Sequence, residues 1–317
     1  MISAGRKINR KVSNLGAYDG VDVEYNTGNN YIGAILGSRP NFGDYGYNAK
    51  LFQYGLYISR DDSLGIGPMK NSLSIFNQTN NFNTDRRFLY FQHTNYFINK
   101  LYFFLSTEID LYQREKGVEK SSFNLTGFYT SIRYSFNPVS ISLSYDARNN
   151  VIYYETYKSF ADSLLDYELR QGLRGRITYR FLKYMTAGVN AGYRTRGGDI
   201  EPSKNYGGFL SHSRLPFVNI SASINVNMLN TSYLDGNISA VRLSKDISFM
   251  NINLTLGYRL VNYTYKTTDY QLKQNIFTIE LSSRVFNDIY ALASYEGIFE
   301  DVLTYKRLYI NLSYRLR

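Results

Sequence analysis

The sequence predicts an all-β chain folded as a transmembrane antiparallel up-and-down β-barrel of about 18 strands (roughly 16–20). Three observations carry that prediction. Apolar and polar residues alternate with period two in window after window, and helical periodicity is nearly absent. Several windows run to roughly 12–15 residues, beyond the ~5–6 usual in soluble strands and enough for the ~9–11 that a tilted strand needs to cross the hydrocarbon. Very short connections alternate with longer polar ones, as periplasmic turns alternate with outside loops in such barrels.

The elements follow in order. Strands are expected at 1–8, 20–27, 30–38, 48–59, 69–77 and 86–95. They continue at 99–113, 121–135, 139–148, 169–181, 184–195 and 206–214, and end with 217–229, 233–245, 248–264, 270–284, 288–298 and 303–316. The alternation is plainest at 218–228, where Val218, Ile220, Ala222, Ile224, Val226 and Met228 oppose Asn219, Ser221, Ser223, Asn225 and Asn227. Residues 139–148 set Val139, Ile141, Leu143, Tyr145 and Ala147 against Ser140, Ser142, Ser144, Asp146 and Arg148. In RQGLRGRITYR, residues 170–180, the arginines occupy even positions while Leu173, Ile177 and Tyr179 take the other face, because successive side chains of a strand point to opposite sides.

Short turns are expected at Phe97-Ile98-Asn99, Asn137-Pro138, Leu182-Lys183, Leu215-Pro216, Asp246-Ile247 and Asn287-Asp288, and longer connections at 114–120, 149–168, 196–205, 230–232, 265–269 and 299–302. Aromatic residues flank the short turns: Tyr96, Phe97, Phe136, Phe181, Tyr184, Phe217, Phe249, Phe286 and Tyr290. Amphipathic rings are stabilised at the bilayer–water boundary, so the repetition reads as an interfacial girdle. No composition break divides the chain, and 1–317 is expected to be a single barrel domain.

Composition agrees. The chain of 317 residues has no Cys and no Trp but 32 Tyr and 20 Phe, which excludes a disulfide framework and a thiolate metal site. Mean hydropathy is −0.34, and no run approaches the ~18 apolar residues of a membrane helix; alternating barrel strands average to such a value. The net charge of +10 is spread along the chain rather than gathered in one patch, which does not fit nucleic-acid binding. The polar faces are rich in Ser, Asn, Thr, Gly and Arg, unlike the Lys/Glu mixtures of soluble surfaces. The opening MISAGRKINRK lacks the apolar stretch of a signal peptide; it fits a numbering that begins after processing or, preferably, the later portion of a longer chain.

The stretch AGRKINRKVSNLGAYDGVDVEY, with Gly5-Arg6-Lys7 closing one strand and Asp19-Gly20-Val21 opening the next, resembles a strand–loop–strand unit of porin-like outer-membrane proteins. The whole chain is similar to uncharacterised outer-membrane barrels of Bacteroidota. That resemblance implies an outer-membrane location and no particular substrate. One departure is the end, Tyr314-Arg315-Leu316-Arg317, where such barrels commonly finish on an aromatic residue.

Little in the sequence points to catalysis, and no cofactor is expected. There are two histidines, His93 and His212; the serines beside His212, Ser211 and Ser213, point to the opposite strand face, so neither is a natural nucleophilic partner. Glu108 and Asp110 share a face and are the best carboxylate pair for a metal, with a lumenal ion-pair network as the plainer reading. A transporter with ~22 strands and a plug would need more chain. A barrel of ~16–18 strands leaves an aqueous channel unless something fills it. The alternation directs Arg133, Arg148, Arg174, Arg176, Arg180, Arg194, Arg259, Arg284, Arg307 and Arg315 to the lumen, with Glu108, Asp110, Glu280, Asp22, Glu24, Asp146 and Glu296 opposing them. Arginine rings favour anions, so the expectation is a porin-like, mildly anion-biased diffusion channel. The alternative is a non-conducting scaffold that docks a periplasmic or surface lipoprotein in an export or surface assembly. The connection 149–168, with Tyr153, Tyr154, Tyr157, Phe160 and Tyr167, is the candidate constriction or docking loop.

Overall fold

Alternating sequence becomes alternating backbone along the whole chain. The computed structural model describes residues 1–41, 43–64, 67–96, 98–115, 118–149, 169–286 and 288–314. Within them lie eighteen strands: β1 (Ile2–Ile8), β2 (Ala17–Thr27), β3 (Asn30–Ser38), β4 (Phe52–Leu64), β5 (Gly67–Asn80), β6 (Asn83–Asn95), β7 (Leu101–Glu115), β8 (Val118–Phe136), β9 (Val139–Arg148), β10 (Arg170–Leu182), β11 (Met185–Arg196), β12 (Ser203–His212), β13 (Ser221–Asn230), β14 (Leu234–Ile247), β15 (Ile252–Tyr265), β16 (Tyr270–Phe286), β17 (Ile289–Glu300) and β18 (Thr304–Tyr314). The only helical pieces among the described residues are 3₁₀ turns at Ser13–Leu15 and Ser248–Met250; no helix there is long and apolar enough to cross a membrane.

The strands form one 18-stranded sheet, and its antiparallel registers join neighbours in chain order, as β1 with β2 and β17 with β18. Every expected strand is present. The largest boundary shifts have local causes. Residues 48–51, expected in strand, instead finish a loop in which Asn48 accepts a hydrogen bond from the Lys50 N–H. The short turn expected at Leu215-Pro216 widens to 213–220, because Phe217 and Asn219 both adopt positive φ, 66° and 52°, and neither can continue a strand there.

The chain divides into two compact units, one of Met1–Tyr134, Ser142–Leu173 and Arg196–Gly198, the other of Ser135–Ile141, Arg174–Thr195 and Asp199–Arg317. Cross-strand partners share a side of the sheet, so registers carry a face from strand to strand. In the first unit one row reads Asp22, Ile35, Gly55, Phe76, Phe88 and Asp110. The next row, on the opposite face, reads Val23, Ala34, Leu56, Ile75, Leu89 and Ile109. The carboxylate of Asp22 is 1% exposed while Leu56 is 61% exposed. Charge is inside and apolar surface is outside, the reverse of a soluble protein.

The second unit alternates the same way. Ser223, Arg242, Gly257, Thr278, Glu296 and Arg307 make one row, and Ala222, Leu243, Leu256, Ile279, Tyr295 and Leu308 make its neighbour on the other face.

Candidate functional site

The polar face of the first unit is built on close approaches. A Cβ on Gly33 would stand 2.2 Å from Tyr57 Cζ, and one on Gly55 would stand 2.3 Å from Phe76 Cδ1. Only glycine lets those rings lie flat across the neighbouring strand. Tyr57 and Phe76, with Phe76 stacked on Phe88 at 5.9 Å between centroids, then form a floor on the polar face.

Onto that floor folds the β1–β2 connection, residues 9–16. Asn9 starts it by accepting the Lys11 N–H at 2.8 Å, an Asx-type turn. Val12 and Leu15, 0% and 7% exposed, join Tyr18, Ile35, Tyr57, Phe76, Phe88 and Tyr90 in one buried cluster. Burying a Val or Leu is worth about 1.5–3 kcal/mol each, so the loop is held by its apolar residues as well as its polar ones. The polar anchors are specific: Asn9 donates to Asp22 (2.9 Å), Asn14 to Glu108 (2.7 Å) and Ser13 to Gln92 (3.4 Å). Lys11 pairs with Glu24 at 2.6 Å, which also accepts the Tyr57 hydroxyl at 2.7 Å, and its ammonium lies over the Tyr31 ring at 3.2 Å.

Arg86 completes the arrangement from β6. Its Nε and Nη2 donate to Asp110 at 2.9 and 2.6 Å, and Nη2 also reaches Glu108 at 2.5 Å. Its guanidinium sits 4.3 Å from the Phe88 ring centroid. Beside it, Arg39 bonds the fully buried Asp85 at 2.8 Å. The Glu108–Asp110 pair singled out in the sequence is therefore closed by an arginine. Among the described residues there is no group of three or more His, Asp or Glu that could hold a metal ion. His93 Nδ1 contacts Asn71 Oδ1 at 2.6 Å, and the Arg214 N–H donates to His212 Nδ1 at 3.3 Å.

The polar face of the second unit is open to solvent. Arg242 pairs with Glu280 at 2.7 Å and Arg307 with Glu296 at 3.7 Å, with the arginine side chains 59% and 72% exposed, against 6% for Arg86. Arg176 lies over Phe209 at 5.3 Å and Arg284 over Tyr290 at 5.8 Å. At the end of this face near the short turns a cleft of about 870 Å³ is lined by Asp246, Asn253, Ser282, Arg284, Tyr290 and Asn311 among others.

The remaining sequence-selected residues fall as follows. Arg133 stands opposite Tyr102, Arg194 opposite Ser203, and Arg259 between Ala240 and Ile276. Arg148 ends β9 and is exposed, as are Arg174 and Arg180 on β10. A Cβ on Gly172, between Arg170 and Arg174 on the same strand face, would stand 2.9 Å from Asp146 Oδ1. Arg315, Tyr153, Tyr154, Tyr157, Phe160 and Tyr167 lie outside the described residues. Sequence reasoning missed Arg86, the Arg39–Asp85 pair, Arg242 and the whole 9–16 insertion. Arg242 was available from the alternation of 233–245; Val12 and Leu15, three apart in a polar connection, were the one sign of the insertion.

No family model matches the sequence, and no curated protein matches it. Among solved structures, the chain is similar to a "Bacterial polysaccharide outer membrane secretin", at 10% identity and TM-score 0.36, covering 95% of this chain and 92% of that one. It is also similar to a BenF-like porin from Pseudomonas fluorescens Pf-5, at 12% identity and TM-score 0.44, covering 97% and 95%. The class of protein defined by the ladders themselves is an inside-out, all-antiparallel up-and-down sheet with a charged inner face.

Proposed function

We propose that the chain forms a closed β-barrel in the bacterial outer membrane whose polar face encloses a water-filled, mildly anion-biased path for small solutes. The carrying observation is the inversion of the two faces. Rows of Val, Leu, Ile and Phe are exposed on one side, a surface that soluble monomers rarely leave bare, while Asp22, Asp85, Arg86 and Asp110 are buried on the other. Lipid is the solvent that accepts such a surface. In lipid an open sheet edge leaves backbone groups unpaired at several kcal/mol each, so a spanning sheet of this kind must close on itself. Phe217 and Phe249, almost fully exposed in the connections 213–220 and 248–251, fit the bilayer interface.

Anion bias follows from the open polar face of the second unit. Arginines on β10, β11, β14, β15, β16 and β18 exceed the carboxylates Asp246, Glu280, Glu296 and Glu300, and such a lining lowers the barrier for anions. Planar-bilayer recording tests this directly. Unitary conductance steps are expected, with a reversal potential under a KCl gradient displaced toward chloride. Replacing residues 9–16 with a two-residue Asn-Gly turn should raise the unitary conductance, because it empties the filled face. A folded protein that gives no steps, with or without the loop, contradicts the channel.

One observation favours a second reading. The polar face of the first unit is occupied by the 9–16 insertion and braced by buried ion pairs, as suits a rigid, non-conducting wall that docks a periplasmic or surface lipoprotein. Retention of a stoichiometric partner from detergent extracts, together with absent conductance, would select it.

A further inference from the structure

The outward face of β3–β6 carries a feature that neither channel nor scaffold requires. Ile32, Ile58, Leu73 and Phe91 are direct partners across four strands, forming one apolar row. The next row on the same face, two residues along and roughly 7 Å away, is Asn30, Arg60, Asn71 and His93. Where the rows meet, a groove of about 480 Å³ is lined by Ile32, Ile58, Leu73 and Phe91, with Arg60 and Asn71 at its rim. Asp62 lies one further step along β4 on the same face. It accepts Arg60 Nε at 2.9 Å and Nη2 at 2.7 Å through one oxygen, and the Ser63 N–H at 2.9 Å through the other. The Arg60 side chain is 57% exposed.

Charged side chains on a lipid-facing surface are costly unless they meet water or a polar head group. Along β4 the order is apolar groove, cation, carboxylate: Ile58, Arg60, Asp62. A phospholipid with a primary-amine head group has the same sequence of chemistry, acyl chain, phosphate, ammonium. Arg60 supplies donors suited to the phosphate and Asp62 an acceptor suited to the ammonium N–H groups, so the complementarity is ordered as well as neutral overall.

We propose that this groove is a binding site for one phosphatidylethanolamine-class lipid, its acyl chain along Ile58 and Leu73, its phosphate at Arg60 with Asn71, and its ammonium at Asp62. The site rests on the membrane reading above, and its test separates the two. Folded protein in detergent is mixed with equimolar lipids bearing ethanolamine, choline or glycerol head groups, and retained lipid is counted by native mass spectrometry. Ethanolamine lipid should be retained over the other two by about tenfold, the scale of one or two charge-assisted hydrogen bonds. Asp62→Asn should abolish the preference over choline lipid, whose quaternary nitrogen has no N–H. Arg60→Gln should lower retention of all three, and Leu73→Trp, which fills the groove without touching the charges, should do the same. Faster migration of unheated samples in gels verifies folding of each variant. Equal retention of the three lipids by the wild type, or unchanged preference in a folded Asp62→Asn variant, overturns the site while leaving the barrel intact. Failure of the protein to float with vesicles of the same lipids overturns the membrane reading and the site with it.

Discussion

Arg86 shows how one residue governs the inner face of the first unit. It is buried, and it is the cation against which Glu108 and Asp110 share one space. Removing one partner of a buried ion pair leaves uncompensated charge and costs about 3–5 kcal/mol, whereas replacing the whole group with neutral residues costs much less. Arg86→Met is therefore expected to lower the urea midpoint of the detergent-folded protein markedly, and Arg86→Met combined with Glu108→Gln and Asp110→Asn to recover much of the loss. Equal midpoints for wild type and the single variant would contradict the ion-pair assignment. The carboxylates were legible in the sequence because period two places residues 108 and 110 on one face. Their partner was not. Arg86 and Arg87 are adjacent, so they point to opposite faces, and Arg87 instead donates to Asn77 at 3.2 Å on the outer side. Choosing between two neighbouring arginines needs the β5–β6 register, including its shift at Gln78/Thr79, and a bulge of that kind leaves no mark in composition.

At the scale of elements, the strands were readable because most are long, half-apolar and bounded by their own turn chemistry. The 9–16 insertion was not, since a connection folds inward only when distant strands offer it a floor, here the rings of Tyr57, Phe76 and Phe88. The boundary at residue 52 was displaced for a similar reason: the 39–51 connection is held by the Arg39–Asp85 pair and by Asn48 to Asn41 at 2.6 Å, contacts invisible to local alternation. Connections also carry the titratable clasp. Lys266, between β15 and β16, hydrogen-bonds Glu201 at 2.9 Å, while Ser232 bonds the backbone of Glu201. The Lys266 hydrogen bond holds the Glu201 carboxyl below its ordinary range, and the Glu201 bond, with Asp235 nearby, holds the Lys266 ammonium above its own. A depressed carboxylate adds stability that is present above its unfolded value of ~4.3 and is lost as pH falls through the lowered folded value. A raised lysine adds stability that is full below ~10.4 and is lost as pH rises through the raised folded value. The clasp is thus intact at neutral pH and opens in acid. Hydrogen exchange at residues 197–205 should quicken at pH 3 relative to pH 7 beyond the intrinsic rate change, and Lys266→Met should remove the difference. A pH response that persists in the variant would assign it elsewhere.

For the molecule as a whole, the central claim is that one face of the sheet meets lipid and the other meets water. A chain without cysteine is a clean background for testing it. Single cysteines placed at each position from 222 to 227 on β13, in protein reconstituted into liposomes, can be challenged with a charged, water-soluble maleimide. Successive residues point to opposite faces, and Ser223, Asn225 and Asn227 share the face of Arg242, Ala240 and Ile238, whereas Ala222, Ile224 and Val226 share that of Leu243, Val241 and Ser239. The prediction is strict alternation, with cysteines at 223, 225 and 227 labelled and those at 222, 224 and 226 protected until the liposomes are dissolved. Equal labelling at all six positions before dissolution would contradict it.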